Sequence, residues 1–581
     1  MSLNSAFQIG RTGLTVSQLG LQVTGNNISN AASAGYSRQS LVVEPVRDNR
    51  SGRFYTGRGA EATGIRRGAD EALSTRLRSG IAQDSAAQTD VDVLAEIEST
   101  LNGLGNNNLS SELNRFFDSW SELSNSPGQP ATRSLVVQQG QSTSAYLRSM
   151  RTSLSEQQGQ IDRDIASNVE GANALLEQIS ALNVEIAGTG GGASALRDQR
   201  DEALSQLSTF INISTVANDN GTIDVFAGST PLVQGGRSRG VGVVRETVGG
   251  ESTVRVTVGS NRQTLDITGG RIGSLLSNRD GAVADTIDRI DTLASQLVYL
   301  VNRAHSTGLG STPFTSLTGN LSVPPADQAR AFNDPSNATF APLSARGVNV
   351  RSGSFLVTMK NTATGASESV RVNVDLDGIT NAGTVGTTDD TSLTTLQGDL
   401  DAIGNLAATV DSNGRLRLDT APGYEVSFSD DSSGALAVLG VNTYFQGTGA
   451  LDIAVRDDLI ADPSKLAIGR MVNGERVDNG AALEIAQLRN LRVTGLGGVS
   501  LLDHFVASVQ SVGTQTGNAR TTAQASAVVK DNLDSQRQAI AGVSIDEEAV
   551  NLLLYQRQFQ ASAQFITKVD ELTQTLLGIL R

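Results

Sequence analysis

Residues 7–28 read FQIGRTGLTVSQLGLQVTGNNI, and every seventh position from the first holds an apolar side chain: Phe7, Leu14, Leu21 and Ile28. A second apolar row has the same spacing and consists of Ile9, Val16 and Val23. A seven-residue apolar repeat is typical of a helix that packs lengthwise against another helix. The sequence therefore predicts an amphipathic helix at the start of the chain, ending at about Thr24, where Gly and Asn residues follow.

The end of the chain carries a similar repeat. One register contains Leu552, Phe559, Ile566 and Leu580, and a second contains Tyr555, Val569 and Leu576. A chain with such rows at both termini can bring its ends together as a helical pair, and that pair can pack against further copies. On periodicity alone, ordinary core-packing helices are the more common explanation. The predicted assembly interface consists of Phe7, Leu14, Leu21, Ile28, Leu552, Phe559, Ile566, Val569 and Leu576.

The interior alternates between helical and strand patterns. From about Ala131 to Ala187, apolar spacings of three, four or seven residues predict one helix. It would be on the order of 80 Å long if Gly159 and Gly171 do not interrupt it. Alternating apolar residues between glycine-containing turns predict strands in two blocks, 211–269 and 311–450. Residues 41–43 predict a short strand, and the glycine-punctuated stretch from there to Gly68 predicts looser structure.

We predict a multidomain fold of the α plus β class, with coiled-coil-like terminal helices, a long-helix rod domain and inserted β-rich outer modules. At 581 residues the chain is too long for a single core. The predicted division is an inner terminal helical domain, 1–40 with 541–581; a helical rod domain, 41–210 with 270–310 and 451–540; a small β module, 211–269; and an outer β-rich module, 311–450.

The composition argues against several functional classes. The net charge is −15 and no basic stripe interleaved with aromatic residues is present, so a nucleic-acid partner is not expected. The chain has no Cys and two His residues, which excludes a clustered His/Cys zinc site and a Cys–His catalytic dyad. We predict no enzymatic activity, no catalytic or metal-binding residues and no cofactor.

The sequence shows neither a cleavable signal peptide nor a candidate membrane span. The first ten residues, MSLNSAFQIG, lack a basic region and a continuous apolar run. No stretch approaches the roughly 20 apolar residues that a membrane span needs. We expect no membrane partner, and an exported chain would use a pathway that does not read such a signal.

Short motifs near both ends are more specific than the heptads. They are NNISNA at 26–31, GYSR at 35–38, GVSIDEE at 542–548 and YQRQFQASA at 555–563. These motifs resemble the terminal signatures of the flagellar rod, hook and hook-associated axial proteins. Interior motifs are similar to those of the hook-associated members: LRDQRDE at 196–202, GGRIGSLL at 269–276 and VNRAH at 301–305.

The resemblance implies a structural adapter of the bacterial flagellum, extracellular, at the junction between hook and filament. Its partners would be further copies of the chain, the flagellar hook protein, a second hook–filament junction protein and, before secretion, an export chaperone. It also implies type III export without a cleavable signal peptide. Two alternatives stay open: another axial component, such as a hook or rod protein, and a secreted adhesin built on axial-protein termini.

Two of these motifs contain residues with a predicted structural role. The family-signature loop contains Asn26, Asn27, Asn30, Gly35 and Tyr36. Its asparagines and glycine suit a tight connector, because Asn side chains bond local backbone and Gly permits positive φ. The acids at 546–548 begin the last helix, and we interpret them as a helix cap, because negative charge stabilises a helix N-terminus.

Overall fold

The computed structural model describes residues 3–33, 35–51, 54–101, 105, 108–189, 193–248, 251–259, 262–472 and 475–579. Long helices at both ends and small sheets between helices confirm the predicted mixed α plus β class. The α-helices are α1 Leu3–Ser29, α2 Glu71–Leu101, α3 Leu109–Asn125, α4 Pro130–Gly188, α5 Ser194–Phe210, α6 Gly270–Asn278, α7 Ala284–Ser306, α8 Pro325–Gln328, α9 Ala341–Ala345, α10 Leu393–Asp401, α11 Ala435–Leu439, α12 Asp457–Ala461, α13 Gly480–Gln487, α14 Leu501–Ala541 and α15 Ile545–Ile579.

The strands are short and pair antiparallel. They are β1 Gln39–Pro45, β2 Asn49–Ser51, β3 Phe54–Thr56, β4 Ala60–Arg67, β5 Ser214–Ala217, β6 Ile223–Ala227, β7 Thr230–Gln234, β8 Arg237–Ser238, β9 Val241–Val248, β10 Glu251–Val258, β11 Gln263–Thr264, β12 Gly308–Leu309, β13 Ser316–Thr318, β14 Gly353–Asn361, β15 Ser367–Val374, β16 Leu406–Val410, β17 Leu416–Thr420, β18 Tyr424–Ser429, β19 Phe445–Gln446, β20 Ala454–Val455, β21 Gly469–Val472 and β22 Glu475–Val477. The sheets of three or four strands have the orders β5-β6-β7-β8, β11-β10-β9, β12-β21-β22, β15-β14-β18 and β13-β17-β16.

The chain forms two compact units. The first consists of Met1–Val93, Gln160–Asn278 and Gly517–Arg581, and the second of Leu94–Gly159 and Arg279–Thr516. A π-helical turn, Arg279–Val283, joins α6 to α7. The four-part division stated above stays a prediction.

In the first unit, two asparagines of α4 attach the small sheets to the helix. The side-chain amide of Asn183 donates to the Ile223 carbonyl at 2.8 Å and accepts from the Ile223 N–H at 3.1 Å. Asn173 makes the same two bonds to the backbone of Val241, at 2.5 and 2.7 Å. Each amide therefore takes the place of a neighbouring strand, so backbone groups at these strand starts stay paired.

The second unit contains an aromatic cluster around the only tryptophan of the chain. Trp120 is fully buried, and its ring centroid lies 5.2 Å from that of Tyr444 and 6.5 Å from that of His305. The Tyr444 hydroxyl donates to the Val136 carbonyl at 2.8 Å. The cluster thus binds α3, α4 and α7 to the segment that follows the β-rich module.

The β-rich module of the second unit has its own apolar core. It is formed by inward side chains of the sheets β15-β14-β18 and β13-β17-β16 together with α10 and α11. The buried carboxylate of Asp291 on α7 pairs with Arg151 of α4 at 3.1 Å and with Arg346 at 3.6 Å. A buried carboxylate needs such partners to offset its lost hydration.

Two segments of the first unit and the long helix α4 bear on the sequence-based predictions. The first helix does not end at Thr24: α1 continues to Ser29, because Asn27 is buried and bonded within the fold. Residues 60–67 are not loose but form β4, which pairs with β1. The long helix is confirmed, since α4 runs unbroken through Gly159 and Gly171.

Because of His305, we expect the second unit to lose stability at acid pH. The Nε2 atom of His305 accepts from the Ala467 N–H at 3.1 Å, so its single proton lies on Nδ1, 2.9 Å from the Asn442 carbonyl oxygen. Complete burial lowers the pKa of His305 to about 4. The unfolded chain binds this proton at its ordinary pKa of about 6.5. The stabilisation is therefore fully present above that pH and is lost as the pH falls toward 4.

We expect acidification from pH 7.5 to pH 4 to cost the second unit about 3 kcal/mol through this group. Denaturant unfolding followed by Trp120 fluorescence measures the free energy at each pH. His305→Gln removes the titration and serves as the comparison, since all other acid effects remain. Equal losses of stability in the two proteins would contradict the assignment.

Candidate assembly site at the paired chain ends

Helices α1 and α15 pack against each other in antiparallel orientation. A Cβ placed on Gly20 would lie 2.5 Å from the Tyr555 ring, and one placed on Gly10 would lie 2.5 Å from Ile566 Cγ1. Between them, a Cβ on Gly13 would lie 2.7 Å from the Ser562 hydroxyl oxygen. These positions tolerate only glycine without movement, because real Cβ atoms do not approach other atoms so closely.

The face of α1 that meets α15 is a seam of small and polar residues with heptad spacing. Its members are Gly10, Gly13, Ser17, Gly20, Thr24 and Asn27. All are buried except Gly13, which is half-buried. The apolar heptads alone did not predict this seam, because its members are small or polar residues. The spacing of the small residues, alternately three and four apart, was visible in the sequence.

The predicted apolar rows of α1 flank the seam. One row immediately follows seam positions or the position seven residues before one, and it consists of Phe7, Leu14, Leu21 and Ile28. The other row immediately precedes seam positions, and it consists of Ile9, Val16 and Val23. Consecutive residues of a helix lie about 100° apart, so the two rows border opposite sides of the contact with α15. Phe7 is 44% exposed, and the other three members of its row are half-buried.

The residues predicted on α15 are divided between the seam and the surface. Val569 is buried, and Leu552 and Ile566 are half-buried. Phe559 and Leu576 are exposed, at 39% and 46%. Leu580 lies outside the described residues. The structure thus brings the two chain ends together, while the contact of these side chains with a neighbouring molecule stays a prediction.

A buried polar cluster closes the end of the helical pair near Asn27. Glu548 is 2% exposed, and its carboxylate accepts from the Asn27 side-chain amide at 3.0 Å and from Arg38 Nε at 2.9 Å. Glu547 accepts from another Arg38 nitrogen at 2.8 Å. The interpretation of these acids as a helix cap was therefore wrong for Glu548, whose carboxylate joins the two chain ends. The first turn of α15 is instead bonded by Ser544.

Asn27 uses its full hydrogen-bonding capacity in this cluster. Its amide nitrogen also donates to the Gln39 carbonyl at 2.9 Å. Its oxygen accepts from the Gln39 N–H at 3.0 Å and from the Tyr36 hydroxyl at 2.8 Å. Burial, followed by the nearby carboxylates of Asp198 and Glu548, raises the pKa of Tyr36 to about 12. Tyr36 therefore remains a donor throughout the neutral range.

The connector between α1 and β1 is also bonded to the interior motif 196–202. Asp198 on α5 pairs with Arg67 at 3.0 Å and accepts from the Ser37 N–H at 3.3 Å. Burial raises the pKa of Asp198, and the charge of Arg67 opposes that shift. The chain reverses at Gly35, where φ is +74°. We call the group Asn27, Tyr36, Arg38, Asp198 and Glu548 the polar latch.

The backbone of Arg38 binds two further segments. Its N–H donates to the Ala541 carbonyl at 2.8 Å, and its carbonyl accepts from the Gly68 N–H at 2.7 Å. The segments that lead into β1, out of β4 and into α15 therefore lie side by side next to the polar latch.

Two other features bear on possible sites. Oxygens of Asp375, Asp377 and Asp390 lie within 4.8 Å of one another. These carboxylates already accept hydrogen bonds from N–H groups of their own turn or of Asn333, so we assign no metal to them.

No helix among the described residues is long and apolar enough to cross a membrane.

Because Gly20 lies against Tyr555, Gly20→Ala should weaken the contact between α1 and α15 by about 1–3 kcal/mol. Gly25→Ala is the matched control on the same helix, since a Cβ there meets nothing within 4 Å. Amide hydrogen exchange in α15 measures the effect, and we expect faster exchange in Gly20→Ala only. Similar exchange in both variants would show that the seam does not hold the pair together.

The chain matches two family models. One, described as the flagellar hook-associated protein FlgK helical domain, covers residues 94–318, and the other, the flagellar basal body rod FlgEFG protein C-terminal, covers residues 535–579. A solved structure, the flagellar hook junction protein FlgK from Burkholderia pseudomallei, is 16% identical with a TM-score of 0.49, covering 81% of this chain and 100% of that chain.

Curated relatives match from end to end. The flagellar hook-associated protein 1 of Escherichia coli is 24% identical and covers 99% of this chain and 100% of its own length. That of Salmonella typhimurium is 25% identical with the same coverage, and that of Bacillus subtilis is 23% identical over 98% of this chain and 97% of its own. Together with the terminal and interior motifs, these matches show that the chain is similar to flagellar hook-associated protein 1 of several bacteria over nearly its whole length.

Proposed function

We propose that this chain is a structural adapter of the bacterial flagellum, which forms the junction between hook and filament by self-assembly of its paired terminal helices. The relatives that match its whole length are named flagellar hook-associated protein 1. The proposal includes no enzymatic activity and no cofactor.

The observation that carries the proposal is the large exposed apolar surface of α15. Among its described residues only Glu548 and Val569 are fully buried in the 35-residue helix. Long helices in proteins owe most of their stability to packing. The chain itself covers α15 along one edge, so we expect further partners to pack against the rest of this helix.

The exposed apolar residues of α15 continue beyond the part covered by α1. Leu572, Leu577 and Ile579 are 57%, 61% and 75% exposed. Scattered apolar residues are normal on a monomer, but a continuous set of this kind marks an interaction surface. On α1, the row that begins with Phe7 borders the same helical pair and extends this surface.

The proposed partners are those that the family resemblance implies, and the exposed apolar surface supports packing against further subunits. Further copies of the chain cover the flanking rows within one ring or helical layer. The flagellar hook protein lies on one side of that layer, and the second hook–filament junction protein lies on the other. The assembled protein is extracellular and reaches its place by the flagellar export route.

Before export, a chaperone covers the apolar surface of α15. This inference rests on the exposure of Leu572, Leu576 and Leu577. We expect capture of the chaperone by the full chain and loss of capture by a chain that ends before α15. Equal capture by both would contradict it.

Electron microscopy of cells that lack the gene tests the junction role. We expect hooks without filaments, with flagellin released into the medium, and recovery of filaments when the wild-type gene is returned. Missing hooks would assign the protein to the rod or hook instead, and normal filaments would refute an axial role.

The same cells test the predicted interface residues. Leu21→Asp and Phe559→Asp each place a charge in the flanking rows, where burial in an assembly is costly. We expect neither gene to restore filaments. Gln18→Asp and Gln560→Asp, at exposed polar positions of the same helices, are the controls and should restore them. Restoration by all four would contradict the assembly surface.

A further inference from the structure

The seam between α1 and α15 does not by itself fix their register. Its small residues recur every seven positions, as Gly13, Gly20 and Asn27 do. The opposing row of α15 recurs in the same way, through Glu548, Tyr555, Ser562 and Val569. A shift of one heptad toward the chain start, about 10 Å along the axis, would again place this row over small residues, with Tyr555 over Gly13 and Ser562 over Ala6.

Only the observed register gives Glu548 its partners. A shift of one heptad toward the chain start would place its carboxylate over Gly20, which has no side-chain donor. A shift the other way would carry it beyond Ser29, where α1 ends. In either case a carboxylate that is now 2% exposed would lose both Asn27 and Arg38. A buried charge without partners is strongly unfavourable, whereas packing of the repeated rows changes little.

The register also determines where the connector lies. Asn27 holds the backbone of Gln39 through two bonds, and Arg38 reaches Glu548 from the same segment. Asp198 holds the adjacent Ser37 N–H and Arg67. A slipped pair would therefore break bonds on both sides of the connector and not only at Glu548.

We propose that Glu548 is the register-specifying residue of the terminal helical pair, acting through Asn27 and Arg38. A single buried polar residue fixes register in coiled coils by the same principle. The proposal depends only on the contact between α1 and α15, so it holds whatever the pair assembles with.

Disulfide trapping in the full-length protein tests this directly, because the chain has no native Cys. A Cβ on Gly13 lies 3.5 Å from Ser562 Cβ, which is within the range of a disulfide. The pair Gly13→Cys/Ser562→Cys therefore reports the observed register. Gly13→Cys/Tyr555→Cys and Gly13→Cys/Val569→Cys report shifts of one heptad in the two directions.

In the otherwise unchanged chain, we expect the pair at positions 13 and 562 to form an intramolecular disulfide in most molecules. The other two pairs should form a disulfide in few molecules. Adding Glu548→Ala should raise the ratio of slipped to native disulfide by about tenfold or more. Asn27→Ala, which retains a small seam residue, should act in the same direction. Glu547→Ala is the matched control, because this neighbouring carboxylate also binds Arg38 but is 63% exposed, and it should leave the ratio unchanged.

If the Glu548→Ala variant formed only the disulfide between positions 13 and 562, which reports the observed register, the proposal would be overturned. Loss of all three disulfides in that variant, with Trp120 fluorescence unchanged, would also overturn it, since Glu548 would then hold the helices together without selecting a register. An equal rise of the ratio in Glu547→Ala would assign the effect to the loss of any charge near Arg38 and would exclude a specific role of Glu548.

Discussion

The close approach of α1 to α15 is the contact on which the arrangement of the chain ends depends. Glycines at three positions let the backbone of α1 lie directly against Tyr555, Ser562 and Ile566. Because the seam itself contains small residues, the larger apolar side chains of α1 lie beside it. The two helices can therefore pair within one chain and still present apolar rows outward, which is the property that the proposed adapter needs.

The polar latch brings together in the fold three motifs that are far apart in the sequence. Asn27, Tyr36 and Arg38 come from the N-terminal signature, Glu548 from the C-terminal one and Asp198 from the interior motif. The side chains of Asn27, Tyr36, Arg38 and Glu548 form one connected set of hydrogen bonds and ion pairs, and Asp198 joins it through the Ser37 backbone N–H of the connector. Buried polar groups of this kind are stable only when every partner is present.

Much of the fold could be predicted from sequence, because regular periodicity reflects local burial. The unbroken α4, the terminal helices and the strands of the two β blocks followed from it. The pairing of β1 with β4 was missed, because β4, with the sequence AEATGIRR, carries little apolar alternation and its partner strand is distant in the chain. The burial of Glu548 was also missed: near a helix start, a carboxylate that caps and one that binds Arg38 have the same sequence pattern.

Electron cryomicroscopy of the assembled hook–filament junction would show which face of α1 contacts α15 and which face contacts neighbouring subunits. We expect Gly13 to lie against Ser562 within each subunit, with the row from Phe7 to Ile28 in contact with neighbouring subunits. A junction in which the glycine seam of α1 faces another subunit, or in which that apolar row faces solvent, would contradict this expectation.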